Sequence, residues 1–391
     1  MIKTRYIQYI IVAILVLVAI VLLIRPYIAG VDTYYFINNI CFDVPIDAPI
    51  LSEFVFSILL CNILILKAIQ MILFLITLFI LYKIGEIYET DKYNAWLFVL
   101  ISFSSLYLIF EFFGNLEDDH LAFPMLFGSI YYFIKFVKFR SLKDYAISVF
   151  LVGISCLFWK GAVIYFVFLG VSSLYYTPYL VIAVILFNSK LISTAMSLLP
   201  NLSVMENMPI IAILYMFMSI IGIFIFKSKE EISIKIFAAF TLGLALINGK
   251  FGIHVLPFMI IGIFLYIKHI DKDEERKSKF LMFWILLGFT ILIGISSILM
   301  FAPTNDTFNM IDTAVQYSED YNIRLSNDWG LGYFIWYHTQ KEPQYFGHTE
   351  EYYNYENSIL ITSKNLTIDQ NCDILEEYDK HRIMYCGARE G

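Results

Sequence analysis

Apolar residues in this chain fall in long blocks, not in alternating or narrow helix-periodic stripes. Runs such as Ile7–Leu23, Trp96–Phe113 and Leu121–Phe136 carry almost no charge. Crossing a hydrocarbon core of roughly 30 Å takes about 20 helical residues, so blocks of this kind predict membrane helices. They are expected near residues 7–24, 53–82, 95–113, 121–137, 144–159, 161–176, 179–190, 209–226, 234–248, 253–268 and 280–301, which makes about eleven crossings. The pattern changes at Ala302, where Tyr-rich and mixed polar sequence runs to Gly391. There the periodicity predicts helices at 309–319 and 332–339 and strands at 358–362 and 382–386. The expected fold is an all-α polytopic membrane unit over residues 1–301, followed by a small α/β domain over 302–391.

Charge orients this arrangement. Lys83, Lys92, Lys135, Lys138, Arg140, Lys143, Lys227, Lys229, Lys235, Lys268 and Lys272 fall in alternate loops on the side of Lys3 and Arg5. The short loops on the other side hold only Arg25, Lys160, Lys190 and Lys250. The excess of Lys and Arg marks the cytoplasmic side, so the amino terminus is expected inside and the polar tail outside. The first segment has Lys3 and Arg5 in front, as a signal peptide would. Ile24-Arg25-Pro26 offers no small-residue cleavage site, so it is read as an uncleaved helix.

Composition agrees, with 59% hydrophobic, 18% aromatic and 16% charged residues. A net charge of −7 without a basic stripe argues against nucleic acid as a partner. Cys61 and Cys156 lie in apolar runs and are read as packing residues. Cys41, Cys372 and Cys386 fall outside, where a Cys372–Cys386 disulfide is compatible with the spacing. Lys67 lies within an apolar run and has no evident partner in the sequence.

The candidate chemistry starts in the stretch Gly114-Asn115-Leu116-Glu117-Asp118-Asp119-His120, read as a turn between two membrane helices. Three carboxylates crowded there beside an imidazole repel one another unless a cation or a substrate offsets the charge; the alternative reading is a solvated turn. Asp32, just after the first helix, shares the same face. One Asp plus an Asp-x-His turn offers hard oxygens and an imidazole, a ligand set suited to Mn²⁺ or Mg²⁺. Asp119 then points away or accepts a bond from His120, and Glu117 is the alternative ligand in a Glu-x-Asp reading that uses Asp119. His254 and Trp159 are read as packing residues.

With Asp32-Thr33-Tyr34-Tyr35, Asp118-Asp119-His120, Ser203-Val204-Met205-Glu206, Lys250-Phe251 and Asp328-Trp329-Gly330 in this order, the chain resembles the GT-C membrane glycosyltransferases. Within them it is most similar to the catalytic subunit of oligosaccharyltransferase, in its single-subunit archaeal and bacterial forms. The resemblance covers roughly residues 1–350, with a reduced carboxy-terminal domain. It implies that Asp32, Asp118 and His120 hold a metal, and that Asp32 and Glu206 engage an acceptor asparagine. It implies that Lys250, where the family usually has Arg, contacts the donor phosphate. Asp328 and Trp329 would hold the acceptor peptide, although Ser326-Asn327 replaces the tryptophan pair of the family motif. The implied partners are a polyprenyl-linked glycan donor, a protein or peptide acceptor and membrane lipid. Two other readings compete: a GT-C enzyme using a polyprenyl-monophosphate sugar, and a non-catalytic or transporter-like membrane protein. A transporter predicts broken helices with charge at mid-membrane, whereas the acids here gather at one face.

Overall fold

The computed structural model describes residues 4–25, 54–55, 62–88, 92–103, 112–113, 118–173, 216–225, 231–247, 252–271, 284–285, 287–288, 291–292, 305–327, 331, 334–335, 338–339, 358–364, 372–378 and 380–387. The membrane portion is helical: α1 (Thr4–Ile24), α2 (Ile63–Tyr88), α3 (Lys92–Ser102), α4 (Asp118–Phe139) and α5 (Leu142–Phe158). After a 3₁₀ turn over Lys160–Val163 come α6 (Ile164–Ser173), α7 (Met216–Ile225), α8 (Ile232–Ile247) and α9 (Gly252–Asp271). Among the described residues, three helices are long and apolar enough to cross a membrane, in α1, α2 and α4.

Burial separates these helices into an outer and an inner set. The apolar spans of α1 and α2 are 33% buried, and Val12, Val16, Leu23, Ile72 and Phe79 face outward, as lipid-facing residues do. The span of α4 is 78% buried, and every residue of α9 from Ile253 to Phe264 is buried. A helix apolar on all sides belongs in an interior. Around α9 and α4 the core is aromatic: Phe74 meets Phe113 at 4.8 Å, Phe237 meets Phe258 at 5.0 Å and Phe98 meets Phe264 at 5.8 Å. Tilted and edge-to-face rings of this kind gain from quadrupole alignment as well as from area.

Small residues set a close contact between two of the described helices. A Cβ built on Gly222 of α7 would lie 1.8 Å from the carbonyl oxygen of Gly262 in α9. One on Gly262 would lie 2.4 Å from the Ser219 oxygen. The two backbones touch, and Ser219 Oγ donates to the Phe258 carbonyl at 3.4 Å. In lipid, where apolar burial gives helices no net reason to associate, such contact is what holds them. The last turn of α7, Ile221–Ile225, widens to a π-helix at the crossing.

α4 and α5 form an antiparallel pair joined by Arg140 and Ser141. Arg140 takes φ 60, the left-handed conformation that ends a helix, and its N–H bonds the Phe136 carbonyl at 2.7 Å. Ser141 caps α5 by accepting from the Asp144 N–H. Between the helices Ser148 Oγ donates to the Ser129 carbonyl at 2.8 Å, and Lys135 pairs with Asp144 at 3.3 Å.

Several boundaries differ from expectation for identifiable reasons. The helix expected over 53–82 is described as helical at 54–55 and as α2 over Ile63–Tyr88. It outlasts the apolar run because Lys83 and Glu86 pair at 2.7 Å along its surface and Gly85 lets it sit against Phe98. At its start Asn62 Oδ1 accepts from the Leu64 N–H at 2.9 Å, which places Lys67 near a helix end. Lys67 does have a partner: its ammonium donates to the Arg25 carbonyl just past α1. Trp159, expected at the end of a helix, is extended (φ −142, ψ 119), and the 3₁₀ turn follows it. Of the expected helix 280–301, the described residues 284–285, 287–288 and 291–292 are helical, while 179–190 lies outside the described residues.

The tail is α/β, as expected. Helix α10 (Asn305–Asp320) packs on a four-stranded sheet of order β1-β2-β4-β3, with β1 Arg324–Asn327, β2 Ser358–Ser363, β3 Cys372–Glu377 and β4 His381–Cys386. β1 pairs parallel with β2, and the other neighbours are antiparallel. Alternation puts Ile359, Ile361 and Ile383 against Phe308, Ile311 and Ala314 of α10, and turns Leu360, Met384 and Cys386 to the other face. Cys372 and Cys386 stand opposite each other in the register, with Cα atoms 4.1 Å apart, and are disulfide-bonded. Tyr378 Oη donates to Thr313 Oγ1 at 3.0 Å, tying the β3 end to α10.

Two outcomes follow for stability. Cys372→Ser lowers the unfolding free energy of the tail by about 3 kcal/mol, the value for a loop of this length, measured by denaturant unfolding with and without reductant. Gly262→Ala forces α7 and α9 apart and costs roughly 1–3 kcal/mol, read as a lower Tm in detergent micelles.

Candidate functional site

The Asp118-Asp119-His120 segment is not a free turn. It forms the first turn of α4, with Asp118 the first helical residue. Acidic residues suit that end, where unbonded N–H groups carry partial positive charge.

His120 is 1% exposed, unusual for an imidazole at a helix start. Aromatic rings set its position: Phe112 lies edge-on at 6.3 Å and 85°, and Phe123 at 5.0 Å and 57°. Phe123 is one turn along α4, and Pro124 follows it. Proline has no N–H for the carbonyl four residues back, which is that of His120.

Phe123 leads directly to a second imidazole. Its ring meets His254 of α9 at 5.7 Å and 77°. His254 is 3% exposed, its Nδ1 is hydrogen-bonded to the Tyr165 phenol at 2.7 Å, and its ring lies parallel to the Trp159 indole at 5.2 Å and 8°. Tyr165 is fully buried. Thus α4, α6, α9 and the junction after α5 converge on one aromatic cluster with two histidines. Trp159 and His254, read from the sequence as packing residues, do pack: His254 against Phe123, the neighbour of the expected ligand, and Trp159 against His254. Tyr165 was not singled out at all. The one local signal was a histidine four residues beyond Lys250 in an otherwise apolar run.

Of the expected site residues, the structure describes the His120 side chain and the backbone of Asp118. Asp32, Glu206, Lys250, Asp328 and Trp329 lie outside the described residues, as do Glu117 and the side chains of Asp118 and Asp119. β1 ends at Asn327, immediately before Asp328. Among the described residues, no three His, Cys, Asp or Glu side chains gather as a metal set. Divalent-cation chemistry fits the donors at this helix start: a buried imidazole, with carboxylates on adjacent residues of the same turn.

No family model and no curated protein sequence matches the chain. Solved structures do. The archaeal oligosaccharyltransferase AglB of Archaeoglobus fulgidus, in complex with an inhibitory peptide and a dolichol-phosphate, superposes with a TM-score of 0.56 at 12% identity. That match covers 86% of this chain and 64% of the other. The Archaeoglobus fulgidus oligosaccharyltransferase in its apo form gives 0.54 at 11% identity, covering 87% and 65%. Its complex with Zn and sulfate gives 0.56 at 11%, covering 90% and 68%. The chain thus spans less than two thirds of the length of the first two of these structures. At such identity the likeness is one of fold. The chain has the fold of an archaeal oligosaccharyltransferase.

Proposed function

We propose that this protein transfers a glycan from a polyprenyl (di)phosphate carrier to an acceptor outside the cytoplasm, with the asparagine of a protein as acceptor. The observation that carries this reading is the oligosaccharyltransferase fold together with His120, buried at the start of α4 beside its acidic residues. The neighbour that binds an inhibitory peptide and a dolichol-phosphate supports the same two substrate classes here. The Cys372–Cys386 disulfide supports an extracytoplasmic tail, since disulfides persist on the oxidising side of a membrane. The excess of Lys and Arg in the opposite loops supports the same orientation.

Asp32, Asp118 and His120 would hold Mn²⁺ or Mg²⁺. Bound there, the cation would stabilise negative charge on the departing phosphate. Lys250 adds a second positive contact to that phosphate. An asparagine amide is a poor nucleophile because its lone pair is delocalised into the carbonyl. Asp32 and Glu206 each accept one of its N–H bonds, turning the amide out of conjugation and orienting the nitrogen toward the sugar carbon. As the nitrogen–carbon bond forms, the carbon–oxygen bond to phosphate breaks and a carboxylate takes the proton. Asp328 and Trp329 hold the acceptor peptide. Lys67, near a helix end and bonded to the Arg25 carbonyl, needs no role in transport.

Ser326-Asn327 in place of a tryptophan pair favours a second reading, transfer from a polyprenyl-monophosphate sugar to a lipid, glycan or hydroxyl acceptor. Mass spectrometry of the product separates the two.

Asp118→Ala and Glu206→Gln should each lower transfer from a lipid-linked donor by roughly a hundredfold or more while membrane insertion is retained. Full activity in both variants defeats the reading. Exhaustive EDTA treatment should abolish turnover and Mn²⁺ or Mg²⁺ should restore it; turnover that persists after chelation excludes the metal assignment.

A further inference from the structure

At the end of α4 opposite His120, α2 and α4 carry a cluster that the proposed chemistry does not use. Lys83 of α2 lies over the rings of Phe79 and Tyr82 at 5.6 and 5.9 Å. Lys135 of α4 lies over Tyr131 and Tyr132 at 5.7 and 5.4 Å. Tyr131 interacts electrostatically with both lysines, so the two helices share one cation–tyrosine cluster. Beside it, Lys138 of α4 sits 3.9 Å above the Tyr88 ring of α2. Each of the first two lysines has an acid next to it, Glu86 at 2.7 Å from Lys83 and Asp144 at 3.3 Å from Lys135. Ion pairs this open to solvent are weak, so they leave both ammoniums able to engage a further anion. At this end, the described cations of α2, α4, α5 and the turn between the last two are Lys83, Lys135, Lys138, Arg140 and Lys143. The described acids on the same elements are Glu86 and Asp144, with Glu231 reaching Arg140 from before α8 at 3.6 Å. Positive charge is in excess.

The surface that leads to this cluster is apolar. Ile72, Ile76 and Phe79 are exposed and recur at helical spacing, and Lys83 continues the same face of α2. From Ile72 to Lys83 the helix rises about 16 Å, close to half of a hydrocarbon core of roughly 30 Å. The stripe is thus as deep as one leaflet and ends in positive charge. Tyrosine, with an apolar ring and a polar tip, suits the boundary between acyl chains and headgroups. We propose that α2 and α4 form a site for an anionic phospholipid, whose acyl chains lie along Ile72, Ile76 and Phe79 and whose phosphate sits between Lys83 and Lys135. A headgroup with net negative charge offsets the excess cations, which a zwitterionic one does not. The lipid fastens the end of α2, an outer helix with 33% of its span buried, to the more deeply buried α4. None of this depends on glycan transfer.

The test uses the full chain in detergent, with phosphatidylglycerol and phosphatidylcholine of matched acyl chains as probes and bound lipid counted by native mass spectrometry. Phosphatidylglycerol should bind about fivefold tighter or more. Lys83→Gln and Lys135→Gln should each raise its Kd about fivefold, while Lys83→Arg stays near wild type. Asp144→Asn removes the acid beside Lys135 and should lower that Kd, a change opposite in sign to what loosened packing produces. Phosphatidylglycerol should also raise the Tm of the wild-type protein more than that of the Lys83→Gln, Lys135→Gln double variant. Equal affinity for the two lipids overturns the proposal, as does wild-type phosphatidylglycerol affinity in both glutamine variants. So does a dimer of the chain that forms without lipid and covers Lys83 and Lys135. If a glutamine variant fails to fold, the two-lipid comparison and Asp144→Asn decide the matter alone.

Discussion

Among the described residues, the helices of the membrane portion are arranged around one interior helix. α9 is buried on all sides from Ile253 to Phe264, so it can be placed only by its neighbours. α7 touches it backbone to backbone at Gly222 and Gly262, Phe237 of α8 lies against Phe258, and Phe98 of α3 packs on Phe264. Near its beginning the contacts change character, from glycine and phenylalanine to His254, Tyr165 and Trp159. A hydrogen-bonded, aromatic part of the interior therefore lies at the end of α9 that faces the start of α4. In a medium with no water to satisfy stray polar groups, a buried imidazole survives only where a partner is built in, and Tyr165 is that partner.

The two inner helices are built alike. Each carries a histidine in its first turn and a proline shortly after, His120 with Pro124 and His254 with Pro257. Proline early in a helix withholds a donor from a carbonyl near the end without dissolving the rest. The acidic first turn of α4 also complements its helix dipole, so the same residues that serve the proposed chemistry stabilise the element that displays them. That dual role explains why the stretch looks unremarkable when each residue is weighed alone.

Much of the membrane fold was legible because lipid imposes a length on apolar runs, and α1, α4, α5, α8 and α9 lie within a few residues of where those runs place them. Boundaries failed where apolarity and helicity part company. α2 continues through Lys83 and Glu86 after hydropathy has fallen, and the break at Trp159 hides inside sequence apolar on both sides. In the tail, β2, β4 and α10 followed from their patterns. β1 has four residues, Arg324–Asn327, with one apolar side chain, too short for alternation to register. β3 carries acids and an irregularity between Ile374 and Glu376, which shifts the alternating phase. The candidate ligands at 118–120 could be found locally, from charge between apolar blocks. The cluster of Tyr165, Trp159 and His254 could not, since Tyr165 and His254 are 89 residues apart and nothing in either neighbourhood points to the other.

The contact between Gly222 and Gly262 has a mechanical corollary. Helices separated by side chains can creep past one another as rotamers exchange, but here the gap holds nothing larger than hydrogen. A shift of one residue along either axis would bring Ile223 or Ile261 into that slot. α7 and α9 are thus riveted into a single strut. If a lipid-linked donor enters as proposed, sliding of α7 along α9 is not the movement that admits it.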